Sequence, residues 1–546
     1  WGHNPREAHP IVYWRAADHK EQNGIPTLVV DPRRTDTVQG FEEIDASNSY
    51  HAPVINSDIA FLNSIAYVLI TEHEDVIAYD LLRQYVEGWE EYIEGIRQRY
   101  SPEQTQSMTG LEPAFVRTIA GHWADATRKG NERGSGGVVT YWGIGYNQSM
   151  HGQHNAWSIV NLHLLTGNIG RPGACPFSQT GQPNAMGERL TGGLTGRLPF
   201  NIGLNDEPHR AWMAEQWGIP QSDLDTVATQ ANPGMAIGML ERAMKEELHA
   251  MFWIYATHID LPETDTLVRP AMERCFIISQ DIYQHAPNLL YSDVVFPAAT
   301  WGEWSYGTYI NSERRLYVTD GHGVPPEMTV NGETVLDAQG QPVRCKPDMD
   351  IVIDKAKEIA NLLGKDGDAM FPYSKLPNGM YDAQEVLREF LRASKGTDSD
   401  LTGILAVEEQ TGKTPYQQLR ELRGIQWPAP TAELALKGGV KRRYMFQEDG
   451  WQERPYGAFR RASGSALMRL CEQTYENREE YIAKMQGYGV EEGLYCIDHN
   501  EDLVAIRDRG LTPELPDFEW AGRPGALVPD DAYPFWLLLG IVYEHF

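Results

Sequence analysis

The stretch Trp1-Gly2-His3-Asn4-Pro5-Arg6-Glu7-Ala8-His9-Pro10, read together with Thr27-Leu28-Val29-Val30-Asp31, decides the fold class. Asn4 suits a helix N-cap, Pro5 the first helical position, where its missing N–H costs nothing, and Glu7 the capping-box position. The pattern predicts a helix to about Gln22, bent at Pro10 and stopped by Asn23-Gly24, since glycine enters the left-handed conformation cheaply. Thr27–Val30 reads as a buried parallel strand with an acidic residue at its carboxyl end. Tight glycine turn, helix, strand and acid in that order are the layout of a nucleotide-binding βαβ unit, in which a helix N-terminus and close-lying backbone hold a pyrophosphate. The glycine signature is shorter than GxGxxG, so an ordinary βαβ crossover stays open beside it.

Outward from this segment, Ser57 to Thr71 is expected as an amphipathic helix capped by Ser57 or Asp58. Val138 to Trp142 reads as a buried strand running into Gly143-Ile144-Gly145, and His154 to Leu165 as a helix ended by Gly167, Gly170 and Gly173. These pieces make a first α/β domain over 1–170. Residues 171–204 are polar, glycine-rich and hardly periodic, and a loop of that length in a compact protein is usually functional. A second α/β domain with insertions is expected over 205–525. Its helix carries Ile237, Leu240, Met244 and Leu248; its strands are Met251–Tyr255, Cys275–Ser279 (ending at Gln280-Asp281) and Val294–Phe296. Asn331-Gly332 and Gln339-Gly340 outline a small hairpin. Beyond Asp348 the chain reads as mostly helical, with irregular stretches at 436–460 and 514–534, and 526–546 begin a new strand and hence a further domain. The fold class is α/β, with two nucleotide-type domains and a helical extension.

The 546 residues carry 76 acidic against 47 basic side chains, a formal charge of −29, with only 13 lysines. Such a surface repels phosphate backbones, so nucleic acid is not an expected partner. No run of 18 apolar residues occurs, so no membrane span is expected. Cys175, Cys275, Cys345, Cys471 and Cys496 are scattered without a CxxC pair, which argues against a disulfide framework or a metal site built from this chain alone. HExxH, GxSxG and Walker patterns are absent. The chain starts at Trp1 and stops at Phe546 soon after the apolar run Phe535–Leu539, so it reads as the middle of a longer polypeptide. The compartment stays open, with the cytoplasm slightly ahead of the periplasm.

Several segments together resemble the molybdopterin oxidoreductases of the dimethyl-sulfoxide-reductase superfamily: WGHNPREAHP (1–10), VVDPRRTDT (29–37), INSD (55–58), YWGIGYNQSMHG (141–152), NLHLLTGNIGRPGACPFSQTGQPNAMGERLTGG (161–193), DVVFPAATWGEW (293–304), NSERR (311–315) and LGIVYEHF (539–546). TGQPNAMG (180–187), with Arg189 two residues later, is the most specific piece; it looks like the assimilatory and periplasmic nitrate reductases, with the assimilatory spacing. Formate dehydrogenases of the superfamily carry a different, Asn-rich loop there.

The resemblance implies a bis-molybdopterin-guanine-dinucleotide molybdenum centre, with tungsten as the alternative metal and one dinucleotide on each of two Rossmann-like domains. It also implies the start of a C-terminal β-barrel-type domain. The 4Fe–4S cluster and the molybdenum-ligating Cys are expected upstream of Trp1, so no metal ligand is assigned in this chain. Carried over by motif, the implied cofactor-binding positions begin with Trp1, Gly2, Asn4, Glu7, Asp31, Arg33, Arg34 and Thr35. Asn56, Ser57, Asp58, Gly145, Gln148, Gly181 and Gln182 follow, then His258, Gln280, Asp281 and Asp348, and finally Gly540 and His545. Arg189 is the implied cation for a small oxyanion substrate, ahead of Arg197, and Met186 an apolar, polarisable wall beside it. The chain departs from the pattern at Trp304, where nitrate reductases place a Lys, and at Leu539 and Ile541, which replace Thr and Arg. The implied activity is two-electron oxygen-atom transfer from nitrate to nitrite by the central part of a catalytic subunit, fed by an electron-donor protein or small electron-transfer subunit. The alternatives are a relative acting on arsenite, selenate, iodate or formate, and a metal-free scaffold homologue.

Overall fold

A computed structural model describes residues 1–46, 50–51, 53, 57–148, 152–182, 184–193, 196–230, 235–256, 264–283, 285–300, 302–303, 306–311, 313–321, 324–330, 332–397, 399–439 and 466–472. These fall into two compact units, one of residues 1–182 with 466–472 and one of residues 184–439. Each is mixed α/β.

In the first unit, Pro5 opens a short helix, Pro5–Ala8, and Pro10 opens a second, Pro10–Asn23. His9 leaves the helical conformation between them (φ −140°, ψ 60°), because a residue preceding proline is driven out of the α region. Gly24 ends the second helix at φ +60°, its N–H donating to the Lys20 carbonyl at 2.8 Å. Val29–Val30 then pairs in parallel with Tyr50–His51.

The core of this unit is the helix Asp58–Glu72, with Ile59, Phe61, Leu62, Ile65, Leu69 and Ile70 all buried. It is apolar on every side, not amphipathic as expected, because the helices Trp89–Arg99, Pro102–Thr109, Pro113–Arg133 and Gly152–Leu165 pack around it. The strand Val139–Trp142 also differs from its reading. It alternates, with Thr140 and Trp142 buried and Val139 and Tyr141 exposed, and pairs in parallel with Cys175–Ser178. A distant segment completes the unit: Ala466–Leu467 pairs in parallel with Val86–Glu87. Three side chains grip its backbone, Trp157 Nε1 donating to the Leu467 carbonyl (3.1 Å), Asn161 Nδ2 to that of Arg469 (2.8 Å) and Asn63 Nδ2 to that of Cys471 (2.9 Å).

The second unit holds a three-stranded parallel sheet in which Phe276–Asp281 lies between Ala250–Ile254 and Val294–Pro297. Met251, Trp253 and Ile277 bury one face of it against Leu240, Val268 and Met272. A second core gathers around the antiparallel strands Tyr306–Ile310 and Arg315–Asp320, from Leu316, Leu391, Ile404, Leu419 and Trp427. Thr329–Val330 and Glu333–Thr334 form the small hairpin, turning at Gly332 (φ +83°).

Residues 171–204 are not one loop. They contain the strand Cys175–Ser178, the helix Ala185–Thr191 and the paired strands Arg197–Leu198 and Ile202–Gly203. Elements this short leave no readable period in a sequence. Among the described residues no helix is long and apolar enough to cross a membrane. The expected new strand at 526–546 lies outside the described residues.

Candidate cofactor and substrate site

The Trp1-Gly2 segment joins two strands of the first unit. Gly2 N–H donates to the Val30 carbonyl at 3.1 Å, Gly143 N–H donates to the Trp1 carbonyl at 3.2 Å, and the Trp1 amino nitrogen lies 2.9 Å from the Tyr141 carbonyl. Only glycine serves at position 2. Its φ is +51°, and a Cβ there would lie 2.4 Å from the Tyr146 backbone nitrogen and 2.5 Å from the Gly145 carbonyl carbon. Gly145 returns the constraint, since a Cβ on it would lie 2.9 Å from the Gly2 carbonyl oxygen. Backbone thus meets backbone at the strand ends, which fixes Trp1-Gly2 against Gly143–Tyr146.

Asn4 holds the N-cap position but does not cap its own helix. Its Oδ1 accepts from Thr37 N–H (3.2 Å) and Thr37 Oγ1 (2.6 Å), and its Nδ2 donates to Glu7 Oε2 at 2.6 Å. The expected capping box is therefore absent, because Thr37 claims the Asn4 oxygen and Glu7 meets the Asn4 side chain instead of its backbone. Burial, then the neighbouring Asp36, raises the Glu7 carboxyl.

Asp31 is buried at the end of Val29–Val30, and its Oδ1 accepts the Arg33 N–H at 2.8 Å. Burial raises its carboxyl against that bond and the Arg33 charge. Burial likewise pushes Asp58 up to about 6. Arg34 is exposed and pairs with Glu42, Nε to Oε2 at 3.0 Å. Thr35 begins the helix Asp36–Ile44 without a side-chain capping bond. Gln148, Gly181 and Gln182 are exposed, and Asn56 lies outside the described residues.

In the second unit Gln280, fully buried, donates through Nε2 to Asp348 Oδ1. Tyr255 Oη donates to the same oxygen at 2.6 Å, from a backbone held at φ +52°. Burial, then Asp348, raises the Tyr255 hydroxyl well above its ordinary value, with Asp281 adding to it. Asp281 is buried and accepts the Tyr283 N–H at 2.8 Å. The carboxyl ends of two parallel strands therefore bring together Gln280, Asp281 and Asp348, with Tyr255 among them. His258, Gly540 and His545 lie outside the described residues.

Several buried polar side-chain atoms here have no partner among the described residues: Trp1 Nε1, His9 Nδ1 and Thr35 Oγ1 in the first unit and Gln280 Oε1 in the second. Folded proteins pair almost all such atoms, so a ligand rich in donors and acceptors suits both strand-end sites. The residues present fit a molybdopterin cofactor.

The signature loop is fixed from one side and open on the other. Asn184 Oδ1 accepts the Ile310 N–H at 2.9 Å, and a Cβ on Gly187 would lie 2.0 Å from that oxygen, so glycine is needed for the Asn184 side chain to pass. Met186 packs on the second core, whereas Arg189 is exposed. Among the described residues Arg189 forms no ion pair, its polar contact being Nη1 to Met186 Sδ at 3.8 Å. Arg197 is also exposed, and Trp304 lies outside the described residues. Among the described residues no cluster of His, Cys, Asp and Glu could hold a metal ion.

Sequence reading missed four participants. Thr37 locks Asn4; Tyr255 shares Asp348 with Gln280; His3 and His9 stand together, rings 4.8 Å apart, at the foot of the signature loop. His3 Nε2 donates to Gln179 Oε1 and His9 Nε2 to the Thr180 carbonyl, each at 3.2 Å. Burial, then His9, lowers His3 to about 4.

Residues 1–327 match the molybdopterin oxidoreductase family. The nitrate reductase of Synechocystis sp. is 29% identical over 430 residues, 78% of this chain and 51% of that protein. The periplasmic nitrate reductase of Desulfovibrio desulfuricans is 28% identical over 461 residues, 82% and 53% respectively. The assimilatory nitrate reductase of Haloferax mediterranei is 28% identical over 435 residues, 79% and 50%. The chain thus spans about half the length of these relatives. A looser likeness links it to the solved structure of acetylene hydratase from Pelobacter acetylenicus, with a TM-score of 0.43 and 14% identity over 67% of this chain and 46% of that one. Matched over more than half of its length, this chain belongs to the molybdopterin oxidoreductase family.

Proposed function

We propose that this chain is the central part of the catalytic subunit of a nitrate-reductase-like molybdoenzyme, with one pterin guanine dinucleotide at the strand ends of each unit, both Rossmann-like. A molybdenum or tungsten pterin centre, when bound, supplies the two-electron chemistry NO3⁻ + 2H⁺ + 2e⁻ → NO2⁻ + H2O. The residues of this chain supply position and charge. Gly2 and Gly145, packed on each other, hold the strand-end turn on which a pyrophosphate would lie, while Asp31 and Asp281 offer carboxylate oxygens to guanine N–H donors. Arg189 presents two parallel N–H donors to a planar trioxyanion, which a lysine ammonium cannot do.

One observation carries the substrate assignment: a guanidinium that forms no ion pair among the described residues, in a chain of formal charge −29, on a loop anchored through Asn184. Such a local cation reverses the overall field for an approaching oxyanion. A 4Fe–4S cluster, the metal-ligating Cys and a barrel-type domain starting at 526–546 belong to the same proposal. So does an electron-donor protein or small electron-transfer subunit. A relative acting on another oxyanion is the second reading, favoured by Trp304 where nitrate reductases carry Lys.

The test is metal and pterin analysis of the full-length protein with a nitrate reduction assay, repeated on Arg189→Lys and Arg189→Ala. Both variants are expected to lower kcat/KM for nitrate at normal metal content. A full-length protein with neither metal nor pterin overturns the enzyme and promotes the scaffold.

A further inference from the structure

We infer that His9 is a further ligand-binding residue of the first unit, its Nδ1 accepting a hydrogen bond from an amine or hydroxyl of the pterin nucleotide; this rests on the proposed function. The tautomer comes first. His9 Nε2 lies 3.2 Å from the Thr180 carbonyl, and a carbonyl only accepts, so Nε2 carries the proton. In the neutral ring Nδ1 is then a bare lone pair. That atom is buried and has no partner among the described residues. A lone pair repels a phosphate oxygen and takes an N–H or O–H donor, which selects the heterocycle or sugar part of the nucleotide over its phosphates.

Placement points the same way. His9 stands at the break between two helices that Pro10 enforces, and its ring packs edge-on against His3. Both rings are tied to consecutive residues, Gln179 and Thr180, the second of which opens the signature TGQPNAMG. His3 also lines the glycine contact, since a Cβ on Gly143 would lie 2.8 Å from its Nδ1. The ring of His9 is therefore held on two sides, and Nδ1 is its remaining polar atom.

Two substitutions in the intact protein separate binding from packing. In His9→Gln the amide nitrogen can still donate to Thr180, but nothing replaces Nδ1. In His9→Asn an acceptor returns near Nδ1, and the Thr180 bond is given up. Pterin per chain, measured by fluorescence after acid release from protein dialysed at pH 8, is expected to fall about 5- to 10-fold in His9→Gln. The thermal midpoint of the cofactor-free protein should stay unchanged, and His9→Asn should retain more pterin than His9→Gln. His9→Gln loaded as fully as wild type, or losing pterin only together with its midpoint, overturns the inference. Wild type lacking pterin overturns the proposed function instead.

Discussion

Asp31 and Asp281 close their strands in the same way: each is buried, and each accepts through Oδ1 the N–H two residues on, from Arg33 and Tyr283, at 2.8 Å. The turn occupies one carboxylate oxygen, and among the described residues Oδ2 of each has no hydrogen-bond partner. Asn keeps the Oδ1 acceptor while removing the charge and one acceptor; Ala removes everything. Asp31→Asn and Asp281→Asn are therefore expected to lower guanine nucleotide per chain with little change in thermal midpoint. The Ala variants should also lose stability, on the order of 1 kcal/mol, from the unpaired turn N–H. Equal nucleotide content in the Asn variants and wild type would reduce both residues to turn formers.

Gly2→Ala tests the backbone contact. It places a Cβ 2.4 Å from the Tyr146 nitrogen at a positive φ, and backbone cannot swing aside as a side-chain tip can. A cost of about 2–4 kcal/mol to the first unit is expected, read by urea denaturation followed through tryptophan fluorescence. Gly24→Ala, also at positive φ but with open space around it, should cost only about 1 kcal/mol.

Acid should act on two buried groups, His163 and Asp350, with opposite sign. Burial lowers His163 to about 4, although its bond to the Asn168 carbonyl pulls the other way. Between the ordinary value near 6.5 and about 4 the unfolded chain binds a proton that the folded ring refuses, so this group's stabilisation falls as pH drops through that window. Asp350 is the reverse case. Burial pushes it up to about 6 against the Tyr381 N–H bond, so its contribution is full below about 4 and is lost as pH rises through 6. Asp350→Asn should thus raise the midpoint at pH 8 and leave it nearly unchanged at pH 4. The deficit of His163→Gln should narrow on acidification from pH 6.5 to 4. Parallel profiles for either variant and wild type would refute the corresponding assignment.

Arg189→Ala should leave thermal stability within about 0.5 kcal/mol of wild type, because the side chain is exposed and forms no ion pair among the described residues. A drop of several degrees in midpoint would make it a structural residue of the loop.

How legible the site was depends on where each partner lies. Asn4-Pro5, the break at Pro10 and the stop at Gly24 were readable because their causes are local. The acids at 31 and 281 were readable because strand and acid are adjacent. Thr37 and His9 were not, since their partners lie 33 and 171 residues away, and nothing near either residue signals them. The helix Asp58–Glu72 was misread for a different reason. A helix enclosed on all sides carries apolar residues on all sides, and its sequence then shows no face.

The segment 466–472, gripped by Trp157, Asn161 and Asn63, means that the first unit is closed only after residues 184–439 of the second have been synthesised. After residue 182 a ribosome must add nearly 300 residues before that closing strand emerges, roughly 15–60 s at ordinary elongation rates. For that interval the edge at Val86–Glu87 is unpaired and the side-chain donors of Asn63 and Asn161 lack their carbonyls. A nascent chain arrested before residue 466 should therefore be more open to protease in its amino-terminal half than the released protein.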